Sequence, residues 1–390
     1  MEHTEQTLRK LLNKIAAEQG YENYEVIIND FSSDGANYTS KLYTAVILEP
    51  GRDDLHLFAK IATCGGNFRE EVGSKIFDTE RYVYTTLVKT YEGLEDEVGM
   101  EEEDRLVLPK FYGFDATRNQ ESVVLENLLA HGYCAYDRFR SVDWQYASST
   151  VRELAKLHAL SFACSEKYPE DFESILNILK IDWSPNVMDG FFTGMLTNAL
   201  NVVNPRYKES LEKFFDGVLS EFTAKIGKPV YRPVIIHADF RGSNLLHRIR
   251  EDGKVEIKIV DLQTLQGGSP VTDLLYFIFT GSDEQFRAQY YEQLIDHYYN
   301  ELAAAMKRLH LNPDEVYSRE NFDFELKEKL PFGLTLAVFT LPIITVETDK
   351  APEVNESLDI SAFSVTNTSD LYKERLNGVV NDYVKWGILK

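Results

Sequence analysis

Three oxygen-bearing side chains in the second half of the chain have the types and spacing for phosphoryl transfer. The loop HADFRGSN places Asp239 and Asn244 five positions apart, and the run EIKIVDLQ delivers Asp261 at the end of a short strand. A carboxylate can accept the proton of an attacking hydroxyl, while an amide oxygen and a second carboxylate can hold Mg²⁺ on nucleotide phosphates. An isolated Asp in such a loop more often caps a turn. Three residues in this order, each at a strand–loop junction, point to ATP and Mg²⁺. Arg241, two positions after Asp239, suits either a surface site or contact with a transferred γ-phosphate, where it would act beside the catalytic Asp239. His237 is expected to orient the loop by hydrogen bonding. Asp273, early in a helix opened by Ser269-Pro270, is expected to accept hydrogen bonds from loop backbone.

These groups need a frame, and the first third of the chain supplies strands. Tyr24 to Phe31, Tyr38 to Leu48 and Leu55 to Ala62 are strand-like runs separated by SSDGAN and EPGRDD, so a three-strand antiparallel meander is predicted. A helix over Thr4 to Gln19 precedes them, with Leu8, Leu11, Leu12 and Ile15 on one face. The SSDGAN turn offers Ser33, Gly35 and Asn37 as phosphate-covering backbone, or it is an ordinary hairpin turn. Lys60, within LHLFAKIA, is either an edge-strand lysine or an inward phosphate ligand. A helix over Glu70 to Val88 carries Glu80, about twenty positions later, placed to pair with that lysine. The stretch Tyr91 to Asp104 holds eight acidic residues and is expected to be a solvated, mobile loop. Strands are expected at Leu106 to Pro109, Lys110 to Asp115 and Ser122 to Leu128. At the last of these, the carbonyl of Glu126 and the N–H of Leu128 would read an adenine edge. The remainder is mainly helical, with His158 inside an apolar stripe and assigned a structural role.

Composition sets the partners. Asp and Glu number 63 against 41 Lys and Arg, a formal charge of −22, which argues against nucleic acid or an anionic membrane surface. Three cysteines without motif spacing argue against a disulfide framework. The first residues lack an apolar signal core, and the greasy run Pro331 to Val346 is too short to span a bilayer. A cytoplasmic monomer is the expectation.

Protein kinases write a comparable set as H-R-D-x-x-x-x-N followed by D-F-G, with a long activation segment ending in A-P-E. Here Asp261 and Asp273 are only twelve positions apart, and no A-P-E occurs. That leaves no peptide platform, so the acceptor is expected to be a small-molecule alcohol held among helices. Two lobes follow: residues 1–130 for the nucleotide and hinge, and residues 131–390 for the catalytic loop and acceptor pocket. The fold class is α+β, bilobal and protein-kinase-like, with a small antiparallel-sheet lobe and a larger helical one.

Nearly the whole chain resembles the ecdysteroid kinase-like family, in the wider group of aminoglycoside phosphotransferases and choline kinases. The resemblance runs through DGANYTS, LFAKI with Lys60, FDTERYVY with Glu80, VLENLLAHGY, LAKLHALSFA, HADFRGSN and IVDLQTLQGGSPVTDLLYFIF. It implies ATP with Mg²⁺ and phosphorylation of an ecdysteroid or of a plant or xenobiotic alcohol, the latter a detoxification role. A choline-type kinase with an aromatic cage including Trp183 is one alternative, and a catalytically silent ligand-binding kinase fold is another. The family usually has H-G-D-x-W at the catalytic Asp, whereas this chain has Ala238 and Arg241. Ala238 is expected to be a small steric change, and Arg241 to alter the pocket beside the acceptor.

Overall fold

The computed structural model describes residues 3–32, 40–63, 73–181, 185–225, 228–350 and 369–390. Strands β1 (Glu25–Phe31), β2 (Ser40–Leu48) and β3 (Leu55–Ala62) form the expected antiparallel meander, with Glu25 opposite Leu48 and Ser40 opposite Ala62. β4 (Phe111–Asp115) and β5 (Ser122–Glu126) complete a five-stranded sheet in the order β1-β2-β3-β5-β4. Side chains alternate across a strand, so β3 sends Leu57, Ala59 and Ile61 to one face. Helix α1 (His3–Glu18) covers that face with Leu8, Leu11, Leu12 and Ile15. Lys60 consequently points to the opposite face, toward the rest of the molecule. Burying each of those leucines and isoleucines contributes about 1.5–3 kcal/mol, which holds the helix on the sheet.

After β3 comes α2 (Ser74–Tyr82), then a π-turn at Val83–Leu87, then α3 (Val88–Glu97). The helical run therefore reaches Glu97, well beyond the boundary expected at Val88. The reason is that Tyr91 and Leu94 extend the apolar face into the core, outweighing the local acidity. Glu95 is itself buried and accepts the Leu106 N–H at 2.8 Å. Residues 106–109 are likewise not a strand. The Leu106 amide is taken by a side chain, Pro109 has no N–H to give, and pairing starts only at Phe111.

The larger, helical part begins with the two-residue strand β6 (Cys134–Ala135) and α4 (Trp144–Lys167), and continues through α5 (Pro169–Leu179), α6 (Pro185–Val202) and α7 (Lys208–Lys225). A small strand β7 (Val234–Ile236) follows, then the hairpin β8 (Leu245–Ile249) and β9 (Val255–Ile259), and β10 (Gln266–Gly268), antiparallel to β7. Helices α8 (Pro270–Gly281), α9 (Glu284–Arg308), α10 (Pro313–Val316), α11 (Arg319–Ile344) and α12 (Asp370–Lys385) close the chain. Every residue of α8 from Pro270 to Thr280 is buried, so this helix is the axis of the lobe. Its neighbour α11 approaches closely at Gly333, where a β-carbon would collide with Phe279 and Tyr383. Among the described residues, no helix is long and apolar enough to cross a membrane. The architecture is the expected α+β arrangement of a small sheet lobe and a larger helical lobe.

Candidate active site

The face of β3 turned away from α1 carries Lys60, whose ammonium lies 2.8 Å from Glu80 Oε1 and 2.5 Å from Asp261 Oδ1. Both the lysine and Glu80 are buried. Lys60 is therefore an inward lysine and not an edge-strand one. Burial works against its charge, but Asp261 and Glu80 outweigh burial and raise its pKa. Burial likewise raises Glu80, against the pull of Lys60. For Asp261, burial alone would raise the carboxyl; the Lys60 charge wins and holds it below its ordinary range.

The loop between β7 and β8 is held from below. Asp273 at the start of α8 accepts the N–H groups of His237 at 2.6 Å and Ala238 at 2.9 Å. His158 Nε2 donates to the same carboxylate at 3.2 Å, and its Nδ1 meets the Tyr298 hydroxyl at 2.7 Å. His237 Nε2 lies 2.9 Å from the Val260 carbonyl, which can only accept, so that nitrogen carries the proton. Nδ1 is then an acceptor for the Asp239 N–H at 3.3 Å. With both nitrogens engaged, His237 orients the loop. Two residues of the site adopt left-handed backbone, with φ of 64° at Ala238 in this loop and 64° at Asp261 after β9. Asp tolerates this conformation; alanine pays about 1–2 kcal/mol for its β-carbon there. The exchange of glycine for Ala238 is thus a backbone strain, contrary to the small steric change expected.

The Asp239 carboxylate is fully engaged. Arg241 Nε stands 3.1 Å from Oδ1 and 3.2 Å from Oδ2, and Asn244 Nδ2 donates to Oδ2 at 2.9 Å and to the Asp239 carbonyl at 2.9 Å. Arg241 is only 13% exposed at its side chain, which removes the surface reading. Burial opposes its charge and Asp239 restores it, raising the guanidinium further. The remaining contact is one the sequence did not reveal: Tyr276 donates its hydroxyl to Asp239 Oδ1 at 2.8 Å, with Thr340 Oγ1 3.4 Å behind it. Tyr276 belongs to the apolar run DLLYFIF. A helical count from Asp273 would have flagged it, three positions on and one turn higher on the same face. Burial and the adjoining Asp239 raise its hydroxyl pKa, so it stays a donor.

Two further expected residues lie at and just after the end of β5. Glu126 ends β5, its N–H bonded to the Lys110 carbonyl at 2.8 Å. Leu128 is buried and opens a 3-10 turn whose cap, Asn127, accepts the Leu129 N–H at 3.1 Å. Ser33, Gly35, Asn37 and Trp183 lie outside the described residues.

The donor set suits a hard cation. Asn244 turns its amide nitrogen to Asp239, which leaves Oδ1 on the other side with Ser243 Oγ at 3.4 Å. That oxygen and the Asp261 carboxylate match the preference of Mg²⁺ for oxygen. Among the described residues no group of three or more His, Cys, Asp or Glu converges on one point. A site of one carboxylate and one amide, completed by phosphate oxygens, needs no such group.

Residues 34–311 match the ecdysteroid kinase-like family. The chain belongs to that family. As a member of it the chain is a phosphotransferase of the small-molecule kinase class, acting on a hydroxyl acceptor. A comparison with curated proteins found no match. Among solved structures, this family member is similar to an ethanolamine kinase of Plasmodium vivax, at 10% identity, covering 91% of this chain and 81% of that one, TM-score 0.44. It is also similar to aminoglycoside 2'-phosphotransferase-IIIa in its GDP complex, at 12% identity, covering 96% and 98%, TM-score 0.45. A third is an aminoglycoside phosphotransferase of Streptomyces rimosus in complex with ADP and streptomycin, at 12% identity, covering 85% and 98%, TM-score 0.39.

Proposed function

We propose that this chain is a cytoplasmic, monomeric kinase that moves the γ-phosphate of ATP to a hydroxyl of a hydrophobic small molecule, an ecdysteroid or a plant or xenobiotic alcohol. One observation carries the reading. Asp239 is presented on a loop braced by Asp273, with Asn244 against its carboxylate, and Asp261, just past the end of β9, is paired with Lys60 of β3. The division of labour follows the lobes, residues 1–130 holding nucleotide and residues 131–390 holding acceptor.

Asp239 takes the proton as the acceptor oxygen attacks the γ-phosphorus. The new O–P bond forms, the bond from that phosphorus to the β-γ bridging oxygen breaks, and ADP leaves with the electron pair. Lys60, fixed by Glu80, lies on the α- and β-phosphates, and Arg241 spreads charge on the moving phosphoryl group. The Glu126 carbonyl and Leu128 N–H read the adenine. Mg²⁺, held by Asn244 and Asp261, would neutralise charge on the phosphate oxygens.

The test is ADP release with Mg-ATP over a panel of ecdysteroids, plant phenols and glycosides, choline and ethanolamine. Turnover of the lipophilic alcohols that vanishes in Asp239→Asn, while Mg-ATP still raises the melting temperature, supports the assignment. Full activity in Asp239→Asn, or turnover of choline alone, would sink it.

A further inference from the structure

Tyr84 follows Glu80 by four positions, one helical turn on and on the same face. It is 4% exposed, and its ring stacks on Phe111 with centroids 5.7 Å apart and planes 12° from parallel. Its hydroxyl has no hydrogen-bond partner among the described residues. Phenylalanine would fill the same place and make the same stack without burying an unpaired donor. A second polar atom on this stretch of helix is in the same condition. Glu80 gives Oε1 to Lys60 at 2.8 Å, while its buried Oε2 accepts no hydrogen bond of ordinary geometry. The Leu262 N–H acts on that carboxylate more weakly than Lys60 does. An unpaired donor and an unpaired acceptor thus lie one turn apart, beside the lysine that nucleotide phosphates would claim.

Tyr372 also carries an unpaired hydroxyl, but burial alone acts on it. On Tyr84, burial acts together with the charges of Glu80 and Asp261, and the phenol is held well above its ordinary range, so it stays a donor. The backbone here is unusual as well. The Val88 N–H reaches back five residues to the Val83 carbonyl, a widened turn of the kind that recurs at functional sites. Tyr84 also lines a cavity of about 510 Å³ with Val88, Leu106 and Phe111, which gives this turn room to adjust.

In this structure Glu80 and Asp261 share one ammonium. The proposed chemistry changes that sharing, because Lys60 turns to the phosphates and Asp261 to Mg²⁺. Glu80 is then buried near added negative charge, with a weaker hold on its cation. We infer that Tyr84 is a positioning residue for the nucleotide: as Lys60 turns to the phosphates, the Tyr84 hydroxyl donates to Glu80 and keeps that carboxylate, and through it the lysine, in place. A neutral hydroxyl makes a charge-assisted hydrogen bond without competing with Lys60 as a second cation would. A contact made only with nucleotide bound adds to nucleotide affinity and nothing to the stability of the fold alone. This inference rests on the phosphotransferase reading above and deepens its account of the nucleotide site.

The test compares the full chain with Tyr84→Phe, which keeps the ring and its stack on Phe111. Without nucleotide, urea unfolding should show the variant at least as stable as wild type, since an unpaired buried donor has been removed. Calorimetric titration should show Mg-ADP binding weakened about tenfold, the scale of one hydrogen bond to a charged group. With an accepted alcohol, the loss should fall on the KM for ATP and spare the acceptor KM. A double-mutant cycle with Glu80→Ala locates the contact: the two changes should be non-additive in Mg-ADP affinity and additive in nucleotide-free stability. A Tyr84→Phe protein that is less stable without nucleotide yet binds Mg-ADP like wild type would overturn the inference. So would weakened binding that simply adds to the Glu80→Ala effect, because the hydroxyl would then act on another group. In both cases the kinase reading stands. Failure of the wild type to bind Mg-ADP would instead overturn the nucleotide reading, and this inference with it.

Discussion

Lys60 and Asp261 are 201 positions apart in the chain and 2.5 Å apart in the fold. With Glu80 2.8 Å away, one ammonium serves two carboxylates in a site largely closed to water. Removing the cation leaves both anions buried without their partner, a loss on the order of 3–5 kcal/mol for pairs of this kind. Lys60→Met is therefore expected to lose stability as well as turnover. Glu80→Gln, which keeps Lys60 paired to Asp261, should lose less. Urea unfolding of the two variants checks the order, and a Lys60→Met protein as stable as wild type would contradict it.

Tyr276→Phe removes one hydroxyl and little volume. The Asp239 carboxylate would keep Arg241 and Asn244 but lose the contact that sets its rotation from the side of α8. A fall in kcat of about tenfold is expected, the worth of one hydrogen bond to a charged group. The KM for ATP should hold steady, since Tyr276 bonds Asp239, the proposed base, and not the Lys60–Asp261 pair proposed to face the nucleotide. Steady-state kinetics on any accepted alcohol measures the split; an equal rise in the KM for ATP would show that the tyrosine acts on the whole site.

Ala238 holds a φ of 64° because Asp273 grips its N–H and that of His237. Glycine relieves the strain, so Ala238→Gly is expected to stabilise the protein by about 1 kcal/mol, less the entropy that glycine gains when unfolded. Ala238→Val, with a branched β-carbon, should destabilise it. Denaturation midpoints decide, and a Gly variant less stable than wild type would mean that the loop is not under backbone strain.

Glu95 gives a pH dependence of definite sign. Burial is the main cause that raises its carboxyl to about 7, against hydrogen bonding from Leu106 and the charge of Arg105. A raised carboxyl favours folding in its protonated form. That contribution is complete below pH 4.5 and is lost as the pH climbs through about 7. Glu95→Gln keeps an acceptor for the Leu106 N–H without the titration. The variant should therefore be more stable than wild type at pH 8, with a gap that closes toward pH 5. Melting curves at the two pH values test it, and parallel curves would rule it out.

Much of this protein could be read before folding. Period-two alternation along LHLFAKIA sets Lys60 on the face opposite Leu57, Ala59 and Ile61, and the i, i+3, i+4 spacing of α1 shows which side it buries. The order Asp239, Asn244, Asp261 and the short run to Asp273 are also local facts, and they carry the chemical class and the absence of a peptide platform. Local acidity misled at Tyr91 to Asp104, because whether a helix continues depends on the core it meets as well as on its own charge. What only the tertiary structure decided are the meetings across distance: Lys60 with Asp261, Tyr276 with Asp239, and Arg138 with the end of α11. Tyr276 looks like its apolar neighbours in sequence, and its hydroxyl finds the carboxylate only because α8 is clamped beneath the loop by Asp273. The backbone angle of Ala238 has the same origin. Local propensity favours right-handed conformations for alanine, and only the contacts of its neighbours can hold it in the other.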